Sequence, residues 1–202
     1  MTDRDRIFEA VRAAVGRKQD RAALPDLPLG DLVSETRLDG GGWERFRVNF
    51  EAVNGDFLGN GDALRELLRR EGARLGYCPP DLRAEVEPWL PEEVRLVDAI
   101  DRRRIDDYGF GISRASLAIA ETGTLVLTDR ETPDRLGALA PWAHVAVVSR
   151  GSLVPTVVEA IQALPDDPNV VWVTGPSKTA DVEGILIEGV HGPGVQACLV
   201  VD

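Results

Sequence analysis

The chain has 202 residues, 44% of them hydrophobic, which suits one domain with its own core and an extra arm. Its net charge is −11, and neither half is basic: residues 1–100 hold 15 basic and 20 acidic side chains, and residues 101–202 hold 8 and 14. We therefore expect no binding to nucleic acid or to an anionic membrane surface. The first residues lack the apolar core of a signal peptide and no apolar run has membrane-spanning length, which predicts a cytoplasmic protein without membrane insertion.

Few cysteines and histidines are available to hold a metal. The chain has two cysteines, Cys78 and Cys198, and two histidines, His144 and His191. An iron–sulfur cluster held by four cysteines cannot be built from two, and a zinc site needs more ligands than this set obviously supplies. We expect no metal and no cofactor on this chain. Cys198 lies in an apolar run, which predicts a buried free thiol.

The N-terminal segment differs from the rest of the chain. Residues 3–18 have apolar side chains at helical spacing, and residues 22–42 are rich in Pro, Asp and Gly. We therefore predict an arm of one helix and a loop in residues 1–41 and a separate domain in residues 42–202. The helix would either lie across the domain or dock on a partner subunit, and the pattern leaves both open.

From Trp43 onward, strand patterns alternate with helix patterns. Strands are predicted at residues 45–53, 74–78, 94–97, 124–128, 144–149, 170–174 and 196–201. Helices are predicted at residues 60–71, 81–90, 113–122, 152–164 and 177–187. This alternation indicates an α/β fold with helices on both faces of a mostly parallel sheet. The most apolar stretches, residues 125–127, 145–148 and 171–173, are predicted to be buried strands.

The predicted helix at residues 113–122 would begin with Ser113 as its N-cap and end before Gly123 in a left-handed conformation. Glu121 would then lie at a helix C-terminus, where a negative charge is unfavourable by about 0.3–1 kcal/mol. Such a placement favours a functional role, either as an acceptor for a ligand or as a general base. The alternative is a surface ion pair with an arginine.

A second polar segment, residues 174–183, is predicted to join a strand to a helix. Ser177 would be the N-cap of that helix, and the backbone N–H groups would lie at the carboxyl end of a strand, where ligands bind in open α/β sheets. Lys178 follows a serine rather than a glycine, so the segment is not a phosphate-binding P-loop. A site for a small anionic or hydroxyl-rich ligand and simple helix capping both remain open.

The third polar segment, residues 189–193, is a turn that contains His191. This histidine would either titrate near neutral pH or hold loops together, whereas His144, at the start of a strand, is expected to be structural. We expect the three turns to form one cleft for a small anionic metabolite, with Glu121 as the best candidate for catalysis. The predicted ligand-binding residues are Glu121, Thr122, Gly123, Thr124, Ser177, Thr179, Asp181 and His191.

Residues 111–124, 174–183 and 189–193 together resemble the lactate-utilization proteins of the LUD-domain family, over roughly residues 42–202. The resemblance implies a three-layer α/β/α sandwich around a mostly parallel sheet, similar to ribose-phosphate isomerase, CoA transferase and formyltetrahydrofolate cyclo-ligase. It also implies an accessory subunit that works with two partners in oxidising L-lactate to pyruvate. Those partners are expected to carry the iron–sulfur clusters.

Two other functions remain open for the same residues. The first is a stand-alone enzyme or binding protein for a small carboxylate or a phosphorylated metabolite, with Glu121 as the base. The second is a purely structural subunit. The resemblance does not decide whether this chain is itself catalytic, because likeness of fold supports a reaction only weakly.

Overall fold

A computed structural model describes residues 2–16, 42–164, 166–180 and 185–202. The chain divides into two compact units, residues 1–35 and residues 36–202. In the first unit the structure describes helix α1 (Asp3–Gly16), none of whose residues is buried. The helix predicted from residue 3 is therefore confirmed, and the predicted loop that follows it lies outside the described residues.

The second unit contains the other elements that the structure describes. Its helices are α2 (Trp43–Ala52), α3 (Gly61–Arg70), α4 (Pro80–Val86), α5 (Arg135–Leu139) and α6 (Val157–Ala163). Its strands are β1 (Asp56–Leu58), β2 (Leu75–Tyr77), β3 (Arg95–Val97), β4 (Phe110–Ala115), β5 (Leu117–Ile119), β6 (Thr124–Thr128), β7 (Ala143–Ser149), β8 (Leu153–Val154), β9 (Val170–Val173), β10 (Lys178–Ala180), β11 (Leu186–Glu188) and β12 (Val195–Val201). Short 3-10 turns lie at Glu87–Trp89, Arg102–Asp107 and Arg150–Ser152.

The central sheet has six strands in the order β1-β12-β7-β4-β2-β3, and every neighbouring pair is parallel. Leucines of α3 and α4 pack on one face, against Ile112 and Val145 of β4 and β7. Phe46 and Phe50 of α2 pack on the other face, against Ala146 of β7. The predicted α/β fold, a mostly parallel sheet flanked by helices, is therefore confirmed.

A second sheet, in the order β8-β5-β6-β9, covers part of one face of the central sheet. In it, β6 pairs antiparallel with both β5 and β9. Leu125 and Leu127 point into the core shared with α2, whereas Val126 packs beside Ala160 of α6. Residues 125–127 are buried as predicted, but they do not belong to the parallel sheet. Residues 171–173 are not fully buried, since the Trp172 side chain is 38% exposed.

The strand predicted at residues 45–53 was wrong, because this segment is helix α2. Phe46 and Phe50 lie one helical turn apart, are fully buried and stack with ring centroids 5.3 Å apart. Val48, on the opposite side, is 47% exposed. Alternate apolar residues predict a strand, but large side chains at i and i+4 form one helical face equally well. Packing of the two rings on the sheet decides in favour of the helix.

The helix predicted at residues 113–122 was also wrong, because the segment forms β4 and β5. Nearly every residue of β4 is buried, since helices and sheet cover both of its faces. A strand buried on both faces loses the apolar–polar alternation that identifies strands, and its small residues then match a helical pattern by chance. Ser113 is consequently a buried strand residue and not an N-cap. The left-handed conformation predicted for Gly123 is confirmed, with φ 63°.

The helix predicted at residues 177–187 is instead the hairpin of β10 and β11, paired from Lys178–Glu188 to Ala180–Leu186. Its β-branched side chains, such as Ile187, favour strands. Ser177 caps no helix: its N–H donates to the Pro193 carbonyl, and its own carbonyl accepts from Gly189 N–H, both at 2.9 Å.

Other predicted elements differ mainly in their ends. The helix expected at residues 81–90 is the shorter α4, which begins after Pro79 and is followed by a 3-10 turn. The segment expected to be helical at residues 152–164 begins with β8, and α6 follows with a capping box formed by Thr156 and Glu159. The helix predicted at residues 60–71 and the strands predicted near β2, β3, β6, β7, β9 and β12 are confirmed.

Both cysteines are buried free thiols, as predicted for Cys198. Burial raises the pKa of Cys78 to about 12 and also raises the pKa of Cys198. In the described ranges, no helix combines the length and the apolar character that crossing a membrane requires.

Candidate functional site

Glu121 lies in the turn between β5 and β6, not at a helix C-terminus. Its carboxylate accepts a hydrogen bond from the N–H of Val157, the first residue of α6, at 3.1 Å. Its own N–H donates to the Pro155 carbonyl at 3.0 Å. A negative charge at a helix N-terminus is favourable, which is the reverse of the placement expected from the sequence. Glu121 therefore joins α6 to the second sheet.

This geometry changes the expected effect of Glu121→Gln, which a C-terminal placement would make neutral or slightly stabilising. Glutamine keeps an acceptor oxygen but loses the charge at the start of α6, so we expect the free energy of unfolding to fall by about 0.5–1 kcal/mol. Urea denaturation of the free protein measures this change. Glu92→Gln, at an exposed position, is the matched control and should have no measurable effect. Equal or higher stability of Glu121→Gln would contradict the capping role.

The residues after Glu121 form a row of hydroxyl groups. Thr122 Oγ1 and Thr124 Oγ1 are 2.6 Å apart, and Thr124 Oγ1 is 2.7 Å from Thr174 Oγ1. Asn49 of α2 donates from its amide nitrogen to the carbonyls of Ala120 and Glu121, each at 2.8 Å. The first polar segment is thus fixed to α2 and meets the start of the second at Thr174.

The second polar segment also meets the third, through the backbone bonds of Ser177 to Pro193 and Gly189. Lys178, at the start of the hairpin, donates from Nζ to the Val53 carbonyl at 2.7 Å and lies 3.4 Å from the Glu188 carboxylate. Lys178 is therefore held by Val53, the residue after α2, and by Glu188 of β11.

The eight predicted site residues have different surroundings. The structure brings Thr122 and Thr124 to Thr174 and brings Ser177 to the turn of residues 189–193, in which His191 is exposed. Thr179 lies in β10, and Asp181 lies outside the described residues. That all eight residues line one common cleft remains a prediction.

A cavity of about 210 Å³ that the sequence did not predict lies at the carboxyl ends of β4 and β7, the two central strands. Both strands leave the central sheet at this point and continue into the second sheet, β4 into β5 and β7 into β8. Ligands of open α/β sheets bind at carboxyl ends of strands. The residues that line the cavity are Arg114, Ala115, Ser116, Thr128, Arg130, Glu131, Ser149 and Ser152.

Arg114 is one of three charged residues that line this cavity, and its side chain is 26% exposed. One guanidinium nitrogen donates to the Glu85 carboxylate of α4 at 3.1 Å. The carboxylates of Asp81 and Glu131 lie farther away, at 3.9 and 3.8 Å. The Arg114 carbonyl accepts from the Thr132 hydroxyl at 2.9 Å, which fixes the end of β4. Arg114 was not among the predicted site residues, because the helix predicted at residues 113–122 placed its side chain opposite the face that would pack on the sheet.

A buried polar network crosses three central strands. Ser113 Oγ lies 2.7 Å from His144 Nε2, and His144 Nδ1 lies 2.9 Å from Gln196 Oε1. The amide oxygen can only accept, so Nδ1–H donates to it and Nε2 accepts from the serine hydroxyl. His144 is fully buried, and burial lowers its pKa to about 4. The ring is therefore neutral and structural, and it is inaccessible to a ligand.

Within the described residues, no three His, Cys, Asp or Glu side chains are grouped in a way that could hold a metal ion. The charged and hydroxyl groups described above are suited to binding small organic molecules through hydrogen bonds.

Comparison with known proteins identifies the family. The LUD domain matches residues 79–201, which is more than half of the chain. This chain belongs to the LUD-domain family. The matched range contains every residue that lines the cavity and all eight residues predicted from the three polar segments.

Several relatives of this LUD-domain chain are called lactate utilization protein C. The protein from Bacillus licheniformis is 29% identical over 178 residues, covering 77% of this chain and 74% of that protein. The protein from Bacillus subtilis is 29% identical over 179 residues, with the same coverage of both chains. The protein from Oceanobacillus iheyensis is 37% identical over 100 residues, covering 46% of this chain and 43% of its own length.

A solved structure has the same fold. It is a DUF162 family protein from Deinococcus radiodurans, with a TM-score of 0.61 and 22% identity. The superposition covers 79% of this chain and 95% of that one.

Proposed function

We propose that this LUD-domain protein takes part in the oxidation of L-lactate to pyruvate, as an accessory subunit that acts with iron–sulfur partner proteins. The observation that supports this proposal is the similarity to lactate utilization protein C across 77% of the chain. No catalytic residue is assigned to this chain. Glu121, the candidate base, engages the start of α6 with its carboxylate.

The electron balance of the reaction supports a role for partners. Oxidation of lactate to pyruvate releases two electrons and two protons, so the reaction needs an electron acceptor. A cluster ligated by four cysteines needs four thiolates, whereas this chain has two cysteines, both buried in its core with raised pKa values. We therefore assign the clusters to the partner proteins.

Growth on lactate tests the proposal. Deleting the gene in its native host should abolish growth on L-lactate as the carbon source and leave growth on pyruvate unchanged, because pyruvate enters metabolism after the proposed step. The wild-type gene should restore growth. Normal growth of the deletion strain on L-lactate would refute the proposed role.

Co-purification tests the partnership separately. The tagged chain, isolated from lactate-grown cells, should bring down proteins that contain iron and absorb visible light, whereas the chain purified alone from a heterologous host should be colourless. A tagged unrelated acidic protein from the same cells is the control for non-specific capture. Absence of iron proteins in repeated isolations, with lactate growth intact, would remove the partner assignment and keep the lactate role.

We make three further proposals, on the domain boundary, the cellular location and the ligand-binding residues. We place the LUD domain at residues 42–202, with residues 1–41 as an arm, and we place the protein in the cytoplasm.

We also propose that the eight residues of the three polar segments contact a small anionic metabolite. Thr122→Val tests it, because loss of one hydroxyl of the threonine row should weaken the binding of such a ligand without changing the fold.

A further inference from the structure

We infer that the cavity at the carboxyl ends of β4 and β7 binds a small monocarboxylate that also carries a hydroxyl group. The Arg114 guanidinium would take the carboxylate. The hydroxyl groups of Ser116 and Thr128, together with the Glu131 carboxylate, would take the ligand hydroxyl. The cavity is lined by none of the eight residues predicted to bind a ligand, although Arg114 and Ser116 lie in the first of the three polar segments, residues 111–124.

The position of the cavity in the sheet is the first argument. The chain continues from β2 to β3 on one side and from β4 to β7 on the other, so the connections diverge between β2 and β4. Ligands of open α/β sheets bind where connections diverge in this way, outside the carboxyl ends of the strands. The cavity lies on the β7 side of β4, and Arg114, the penultimate residue of β4, connects it to the point of divergence, because its guanidinium forms an ion pair with Glu85 of α4, the helix that follows β2.

Unused hydrogen-bond donors on Arg114 are the second argument. A guanidinium has five N–H groups, and among the described residues only the Glu85 carboxylate lies within hydrogen-bonding distance of them. The contacts to Asp81 and Glu131, at 3.9 and 3.8 Å, are too long for hydrogen bonds. Donors therefore remain for a carboxylate, which a guanidinium binds through two parallel hydrogen bonds.

The hydroxyl groups are the third argument. Ser116 Oγ and Thr128 Oγ1 are 2.7 Å apart in the wall of the cavity, and Ser149 and Ser152 also line it. A hydroxyl both donates and accepts, so this wall can bind the hydroxyl of a ligand in either orientation. An acid without a hydroxyl would leave these groups without that partner, which costs binding free energy.

Size and charge limit the ligand. A volume of about 210 Å³ corresponds to roughly seven water molecules and is below the roughly 300–1,000 Å³ of sites for drug-sized ligands. Near the cavity, Asp81, Glu85 and Glu131 outnumber the two arginines, Arg114 and Arg130. A group with two negative charges would be repelled more than one with a single charge. This balance favours a monocarboxylate over inorganic phosphate or a phosphorylated metabolite.

Titration of the purified full-length chain tests the inference. The probes are L-lactate, glycolate, propionate and inorganic phosphate, each followed by calorimetry and by chemical-shift changes in an ¹⁵N-labelled sample. The inference rests on the proposed function only for the choice of L-lactate as first probe. L-lactate and glycolate should bind and shift amides of the cavity, whereas propionate, which lacks the hydroxyl, should bind about tenfold more weakly. Phosphate should bind more weakly than either hydroxy acid.

Variants locate the site. Arg114→Gln should weaken L-lactate binding by at least about tenfold, because the charge-assisted hydrogen bonds are lost. Arg47→Gln is the matched control, since Arg47 is also a partly exposed arginine paired with two carboxylates, Glu44 and Glu51, and it should bind as the wild type does. Arg114→Lys keeps the positive charge but lacks the two parallel N–H donors of the guanidinium, so its affinity for L-lactate should be intermediate. This variant tests the site if Arg114→Gln does not fold.

Three results would overturn the inference: no saturable binding of either hydroxy acid, binding that Arg114→Gln and Arg114→Lys leave unchanged, or tighter binding of phosphate than of both hydroxy acids. Each is distinguishable from failure of the proposed function. Absence of binding together with a growth defect on lactate would remove the site and keep the role in lactate oxidation. Binding at Arg114 without a growth defect would support the site and remove that role.

Discussion

Gly123→Ala is expected to lower the free energy of unfolding by about 2–5 kcal/mol. Gly123 has φ 63°, a conformation that costs an alanine about 1–2 kcal/mol. A Cβ at this position would also lie 2.4 Å from the backbone nitrogen of Phe50, in α2. The backbone of α2 is fixed by the two buried side chains Phe46 and Phe50 and cannot shift without loss of packing. The steric overlap therefore adds about 1–3 kcal/mol to the destabilisation. Denaturation in urea measures the total loss.

Two other glycines separate these contributions. Gly72 has a nearly identical φ, 62°, but a Cβ added there would meet nothing within 4 Å, so Gly72→Ala should show the backbone strain alone, about 1–2 kcal/mol. Gly59 has neither the positive φ nor close neighbours, and Gly59→Ala should be nearly neutral. If Gly123→Ala costs no more than Gly72→Ala, the contact between the turn and α2 is not as close as the structure has it.

Stability is expected to fall by about 2 kcal/mol between neutral pH and pH 5, and by about 3 kcal/mol at pH 4, because of His144. Burial lowers the pKa of His144 from 6.5 to about 4. The unfolded chain therefore binds more protons than the folded protein between these two values. The contribution of His144 is fully present above pH 6.5 and is lost as pH falls toward 4. Urea denaturation across this range measures the slope.

The second histidine is the natural control for this slope. His191 is exposed, so His191→Asn should keep the pH dependence of the wild type, whereas His144→Asn should lose it, whatever its stability at neutral pH. Carboxyl groups contribute at lower pH. The hydrogen bond from Asn54 lowers the pKa of Glu188 below 4.5, so its contribution is lost only below about that pH. If the free energy of unfolding of His144→Asn still changes with pH above pH 4.5 as in the wild type, His144 is not the cause of that dependence.

The sequence by itself predicted the class of fold and the most apolar strands. Six of the seven residues of β7 are buried, and β12 pairs beside it in the central sheet. Apolar runs this short, bounded by turns, favour strands over helices. The left-handed Gly123 was also predictable, because glycine is the residue that adopts that conformation without a steric cost. The family resemblance of the three polar segments was confirmed by the match to residues 79–201.

Only the tertiary structure decided the identity of two segments and the position of the charged groups. The spacing of Phe46 and Phe50 suits a strand or a helix, and burial of both rings on the sheet selects the helix. Residues 113–122 suit both as well, and cover on both faces of β4 selects the strand. Because residues 113–122 form strands and not a helix, Glu121 lies at the N-terminus of α6 and Arg114 lines the cavity. Local spacing specifies which residues share a face, but the surface that packs against that face comes from parts of the chain distant in sequence.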